Sequence, residues 1–274
     1  MLKPLATVLL FAFFGCWETL RPFLPMQTGR LLHAARNLAI AILNTLILSF
    51  SLGLLTVSAA SWSERRSFGV LHQWPLPTWI RVAVAIVLLD GWMYLWHRAN
   101  HQLPFLWRFH RMHHSDDAMD VTTATRFHLG EHLIGSTIRL GIILLAGLAI
   151  LEVVIYETLV VAVTMFHHAN ISIGRWDPWA RLLVVTPDMH KVHHSQIAVE
   201  TNSNYSTLFS FWDRLACSLR TRGDTRDVRF GLREFAGPGW QSLRGMLLTP
   251  FATVPRDSTF DSSPGPTPPD SLIP

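Results

Sequence analysis

Long apolar runs, separated by short polar stretches, set the pattern of this chain. The first, residues 4–24, reads "PLATVLLFAFFGCWETLRPFL" and either spans a bilayer or lies in its interface. Residues 37–60 contain no charged side chain, and about 20 such residues are enough to cross a hydrocarbon core. A third run, residues 78–96, carries Arg81 and Asp90 within it. Residues 133–166 are too long for one crossing. The glycines of "GIILLAGLAILE" and the Glu152 that follows predict two helices there, about 133–149 and 151–166, folded as a tight hairpin. The pattern predicts an all-α integral membrane protein, with about four membrane helices or half-helices beyond the first segment. Residues 251–274 are rich in Pro and Ser and read as a disordered tail.

Composition agrees with a chain solvated partly by lipid: 49% of residues are hydrophobic and only 15% charged. Of the 23 basic residues, only Lys3 and Lys191 are lysines. Arg21, Arg30 and Arg36 precede the second run, and Arg98, Arg108, Arg111 and Arg126 follow the third. Counting crossings puts both sets, and the arginines after the hairpin, on one side. By the positive-inside rule that side is cytoplasmic, so the expected location is a bacterial inner membrane. Arg65, Arg66 and Arg81 run against this assignment. Basic residues interleaved as in nucleic-acid modules are absent, which excludes that partner class. With Cys16 and Cys217 alone there is no disulfide framework, no cysteine-rich zinc site and no thiolate cluster.

Histidine carries the chemistry. "WHRANH" places His97 and His101 four apart, one turn along a helix face. "HRMHH" holds His110, His113 and His114, and "HKVHH" repeats the spacing at His190, His193 and His194. In each triplet two or three nitrogens can converge on one point, and neutral imidazole is a common ligand for first-row metals. Eight imidazoles exceed a four-ligand tetrahedral site, which implies two metals. The clusters fall at one predicted face of the membrane, on either side of the hairpin.

In order, "DGWMYLWHRANH", "RFHRMHHS", "RFHLGEHL", "FHHANI", "TPDMHKVHHS" and "NYSTLFSFWDRL" resemble the fatty acid hydroxylase/sterol desaturase superfamily of membrane di-iron oxygenases, bacterial members included. The resemblance makes residues 78–250 a catalytic domain and residues 1–77 its N-terminal membrane segments. It implies a helical membrane enzyme with a cytoplasmic His-rich cap and two iron ions, which zinc can replace in purified protein. The implied ligands are His97, His101, His110, His113, His114, His190, His193 and His194. His168 in "FHHANI" and His128 in "RFH" match further family positions, although Leu129 stands where the family usually has Pro. His132 and His167 fit less regularly and read as supporting or plain polar residues.

Asp116, Asp117 and Asp188 flank the triplets and are candidates to fix imidazole tautomers. Asp90, two turns before His97 in an apolar run, is a candidate for holding the polar end of a substrate or supporting His97. Asn202, Asn204 and Tyr205 suggest a polar rim, and Trp92, Trp96 and Trp107 an apolar cavity beside the hairpin. The implied reaction is O2-dependent hydroxylation of a lipid or sterol-like substrate, with desaturation as the other outcome on the same site. No haem, flavin or nicotinamide motif is present, so electrons would come from a separate ferredoxin, cytochrome or flavoprotein reductase. The Arg-rich stretch 214–233 is a candidate surface for it. Two rivals belong to other classes. "HLGEH" at 128–132 has the inverted zinc-peptidase pattern, with Glu131 as base, but leaves the clustered histidines idle. A metal transporter would need ligands along the bilayer midplane, not at one side.

Overall fold

Four stretches of helix in the computed structural model, which describes residues 2–26 and 28–253, are long and apolar enough to cross a membrane. The expected tail lies almost wholly outside the described residues. The first crossing combines α2 (Arg30–Leu48) and α3 (Leu54–Arg66), fused through a π-helical turn at Ser49–Gly53. At 1.5 Å per residue these 37 residues extend about 55 Å, well beyond a ~30 Å hydrocarbon core. The sequence pattern, which counted residues 37–60, therefore underestimated this helix at its start. Its first turns are polar because they pack on residues 116–126, where buried Asn37 donates to Thr122 Oγ1 at 2.9 Å. The remaining crossings are α4 (Thr78–Gln102) and the predicted hairpin, α6 (Leu129–Ala146) and α7 (Ile150–His168). The helix α1 (Leu2–Leu20) packs along α7, with Phe14 against Phe166, and its buried Glu18 accepts the backbone N–H groups of Val121 and Asn170.

Both turns at one end of the bundle meet. Gly69 lies against Gly147, and a Cβ built on Gly69 would come within 2.4 Å of the Gly147 backbone. Both glycines have positive φ, +107° and +73°, so the turns need glycine for shape as well as for space. Arg81 closes this end. Its guanidinium donates to Glu152 at 2.8 Å and to the carbonyls of Leu71 and Gly147. That pairing explains how a membrane helix tolerates Arg81, which weighed against the predicted orientation. Below it, Leu89, Ile143, Leu148, Val153 and Tyr156 form the apolar core. Outward-facing residues such as Phe50, Leu95 and Leu145, at 77%, 61% and 66% exposure, present the apolar surface that lipid would cover.

The opposite end carries the polar cap. Leu103 precedes Pro104, is extended, and ends α4, so α5 (Pro104–His114) turns back across it. Among the described residues no β-strand forms; one isolated bridge joins Val184 to Phe209. Replacing Arg81 with Met leaves Glu152 buried without its cation. We expect a loss of about 3–5 kcal/mol, read as a lower thermal midpoint in detergent, with correct insertion retained.

Candidate metal centre

Four helices end at one place. His97 and His101 lie in the last two turns of α4, His110, His113 and His114 in the last turns of α5, and His167 and His168 at the end of α7. The helix Pro187–His193 contributes His190 and His193, with His194 as its C-cap. It starts where Pro187 takes the first helical position and Thr186 Oγ1 accepts the Met189 N–H. A helix C-terminus carries roughly half a negative charge from its backbone dipoles. Four such ends therefore surround the imidazoles with a field suited to cations, although the set contains no carboxylate.

Two groups of nitrogens result. His97, His101, His110, His114 and His193 form the first, and His113, His168, His190 and His194 the second; within each group the atoms lie within 4.8 Å of one another. Each triplet is divided between them. His110 and His114, four apart on one helix face, enter the first group, and His113 enters the second. The later triplet does the reverse: His190 and His194 join the second group and His193 the first. The groups adjoin, with the His114 and His194 rings stacked at 4.5 Å.

Acceptors behind the rings select their tautomers. The Nδ1–H of His97 donates to the Tyr205 carbonyl at 2.8 Å, that of His193 to Ser203, and that of His168 to Thr164. His110 Nδ1–H donates to Glu131 at 2.9 Å. In all four rings Nε2 is then a bare lone pair facing the group. His97, His110 and His193 have no other partner for that nitrogen. His168 Nε2 lies 3.1 Å from His113 Nε2 and 3.0 Å from His190 Nε2. Nitrogens bound ~2.0–2.1 Å from one metal stand roughly 3.0–3.4 Å apart, so these spacings match a ligand shell. Several buried lone pairs aimed at each other are costly without a cation to share. The residues present therefore fit two first-row ions. Burial first, and neighbouring rings second, hold His113, His114, His190 and His194 well below the usual imidazole range, and burial takes His193 down to about 3. All five are neutral near pH 7, the form that binds metal.

Other expected residues sit elsewhere. His128 joins neither group: its Nδ1 caps α6 by accepting the Gly130 N–H, and its Nε2 lies 3.3 Å from the Leu247 carbonyl. His132 packs against Phe127, and Glu131 points to His110 and Asn100, so the "HLGEH" histidines do not converge on a site. His167 packs at a tilt against His190, with ring centroids 4.0 Å apart, without entering a group. Asp116 accepts from His33 and Thr123, and Asp188 from Lys191 and Thr225; neither touches a grouped ring. Burial alone would raise the Asp116 carboxyl, but Arg126 and His33 beside it hold it well below the usual range. Asp90 accepts from the Leu208 and Phe209 N–H groups and from Trp212 Nε1. It anchors the loop whose Ser203 and Tyr205 carbonyls orient His193 and His97. Asn204 fastens the same loop to Met189, and Asp213 accepts the Tyr205 and Ser206 N–H groups. Trp107 is buried against His101 and His114, and Trp96 against Gly135; of the three tryptophans only Trp92 lines the apolar groove beside α4. From the sequence Glu131 reads only as the base of the rival peptidase pattern; its place behind His110, and the loop carbonyls, are not foreseen there. A lone carboxylate at the polar start of α6 was the available signal for Glu131; backbone carbonyls leave none.

Comparison with known proteins supports the same reading of this region. The fatty acid hydroxylase family matches residues 82–218. The chain is 31% identical over 218 residues to the ornithine lipid hydroxylase OlsE of Rhizobium tropici, covering 79% of this chain and 63% of that protein. It is 26% identical to cholesterol 25-hydroxylase of Rattus norvegicus, covering 51% of this chain and 46% of the relative. Alkylglycerol monooxygenase of Danio rerio is also 26% identical, with 54% and 32% covered. The chain thus spans less than two thirds of each of these relatives. No solved structure matches it significantly.

Folding depresses the pKa of His113, His114, His190, His193 and His194 from the ordinary 6.5, so below that value the unfolded chain binds more protons. We expect metal-free protein to keep full stability above about pH 6.5 and to lose it progressively as pH falls. Thermal midpoints of chelator-treated protein across that range test this.

Proposed function

Because this chain belongs to the fatty acid hydroxylase family, we propose that it is a membrane oxygenase that hydroxylates a C–H bond of a lipid or sterol-like substrate, using O2 and external electrons. The observation that carries the proposal is the pair of adjoining imidazole groups at the helix ends. The overall change is RH + O2 + 2 electrons + 2 protons → ROH + H2O. The electrons would come from a ferredoxin, cytochrome or flavoprotein reductase. An unactivated C–H bond yields to neither acid–base groups nor nucleophiles, so the reaction needs a redox metal. Bound as an iron pair, the metals supply dioxygen activation; zinc in their place would fill the same nitrogens without redox chemistry.

The protein's own part is placement. His97, His101, His110, His114 and His193 would hold one ion, and His113, His168, His190 and His194 the other. Glu131 keeps the His110 proton on Nδ1 and so holds Nε2 free, and the Ser203 and Tyr205 carbonyls do the same for His193 and His97. Burial of every grouped ring excludes bulk water from the reacting centre. We place the site on the cytoplasmic side because Arg21, Arg30, Arg98, Arg108 and the arginines after the hairpin accompany it. Relatives named as hydroxylases and monooxygenases favour hydroxylation over desaturation. The misdirected "HLGEH" side chains argue against a peptidase. Ligands confined to helix ends argue against a transporter.

Expression in a host lacking the gene, followed by lipid mass spectrometry under isotopically labelled O2, tests the proposal. We expect a new lipid carrying one labelled oxygen, absent with His193→Ala or His190→Ala. Glu131→Gln should lower activity about 10–100-fold, the cost usual for losing the partner behind a metal-bound histidine. Full turnover in either alanine variant would refute the ligand assignment.

A further inference from the structure

A polar cavity of about 390 Å³, within the range of small-molecule sites, opens where α2 begins. None of the nine grouped imidazoles lines it. Arg30, His33 and Arg36 line it from the first two turns of α2, and Asp117, Asp120 and Arg126 from the segment that follows α5. Just past α7, Asn170 adds to the wall, and the C-terminal stretch closes it with Phe230 and Gln241. Parts of the chain that are distant in sequence thus share one pocket.

The protein itself answers most of the charges here. Arg30 donates to Glu18 at 2.6 Å. His33 lies 2.8 Å from Asp116 and 3.3 Å from Asp120. Arg126 donates to Ser115, Gln241 and the Met112 carbonyl. Arg36 differs: its half-buried guanidinium makes no hydrogen bond or ion pair among the described residues. Burial lowers the Arg126 pKa, Arg36 adds to that fall, and Asp116 and Asp117 oppose it, so Arg36 and Asp117 both stand near this guanidinium. Burial, and then Asp116, raises the Asp117 carboxyl. The cavity therefore holds a cation and a carboxylate that do not pair with each other.

We propose that this cavity binds a phosphoethanolamine group, with its phosphate on Arg36 and its ammonium on Asp117 and Asp120. A guanidinium suits phosphate oxygens. A carboxylate that already has a partner accepts further bonds, so Asp120 can serve His33 and a ligand together. A quaternary ammonium is best held by an aromatic cage, and Phe230 is the single aromatic side chain among the described lining residues. A primary ammonium needs acceptors, which the two carboxylates are. The level of the pocket points to the bilayer as the source. From here α2 enters the membrane, and its Leu31 and Leu32, 87% and 56% exposed, lie at the pocket where the glycerol and acyl chains of a lipid would pass. Bound there, the group ties the segment that follows His113 and His114 to both the N-terminal and the C-terminal parts of the fold. The site is separate from the metal centre and does not depend on the oxygenase reading.

The test uses full-length protein in nanodiscs of equal parts phosphatidylethanolamine, phosphatidylglycerol and phosphatidylcholine, followed by native mass spectrometry of the lipid that stays bound. Phosphatidylethanolamine should be retained in preference to the other two. Arg36→Gln should weaken its retention about tenfold, since one charged contact is lost. Asp117→Asn should keep lipid bound but remove the preference over phosphatidylglycerol, a readout that misfolding does not mimic. A second arm needs no variant: delipidated wild-type protein in detergent receives glycerophosphoethanolamine or glycerol phosphate, and its thermal midpoint is followed. A rise with glycerophosphoethanolamine alone, without preferred lipid retention, assigns the same chemistry to a soluble ester. Arg36-dependent retention of phosphatidylglycerol at or above the level of phosphatidylethanolamine would make this a plain anion site and overturn the proposal. A phosphatidylethanolamine preference that survives Arg36→Gln would also overturn it, as would no preferred lipid together with no rise in midpoint.

Discussion

Nine imidazoles buried in one place, with ring nitrogens facing one another, constrain everything else in this structure. Such an arrangement is unfavourable by itself: each bare nitrogen has lost water and gained no donor. It becomes favourable only when cations occupy the two centres, so metal affinity and folding of the cap are coupled. The scaffold contributes through its backbone as much as its side chains. Four helix C-termini point inward, and three backbone carbonyls together with Glu131 determine which nitrogen of their rings is bare. A shell without carboxylates thereby acquires negative potential from peptide dipoles.

Membrane architecture is what lets these ends meet. Gly69 and Gly147 bring two turns into backbone contact at the far end, and Arg81 ties both to Glu152. Helices joined so closely there deliver their histidines to a common level at the other end. The loop between Ser203 and Asp213 links the two regions: Asp90, inside the membrane helix α4, holds the loop, and the loop's carbonyls hold His97 and His193. A change at Asp90 would therefore reach the metal centre without contacting it.

Much of this was legible from residues alone. The uncharged run and the glycine-broken hairpin predicted the helices, because hydrophobic length and turn glycines act locally. The His spacings pointed to paired metals for the same reason. Where a ring goes after the helix is formed depends on tertiary packing, so the division of each triplet between two groups could not be read. Asp116 and Asp188 looked suited to hold the clustered imidazoles by proximity in the chain, yet they bind His33 and Lys191 instead. His128 followed the family pattern, but its Nδ1 is committed to capping α6. Glu131 was read as a peptidase base; its partner, His110, is 21 residues away in sequence and appeared only in the fold.

The central claim is that two adjoining sets of imidazoles bind two ions. Metal analysis of purified, folded protein against chain concentration tests it most directly, with one ligand removed from each set in turn. The account predicts two ions per chain, falling to one in His193→Ala and to one in His113→Ala, with the losses additive in the double variant. A folded wild-type protein that binds a single ion, or none after reconstitution with ferrous iron, would contradict it.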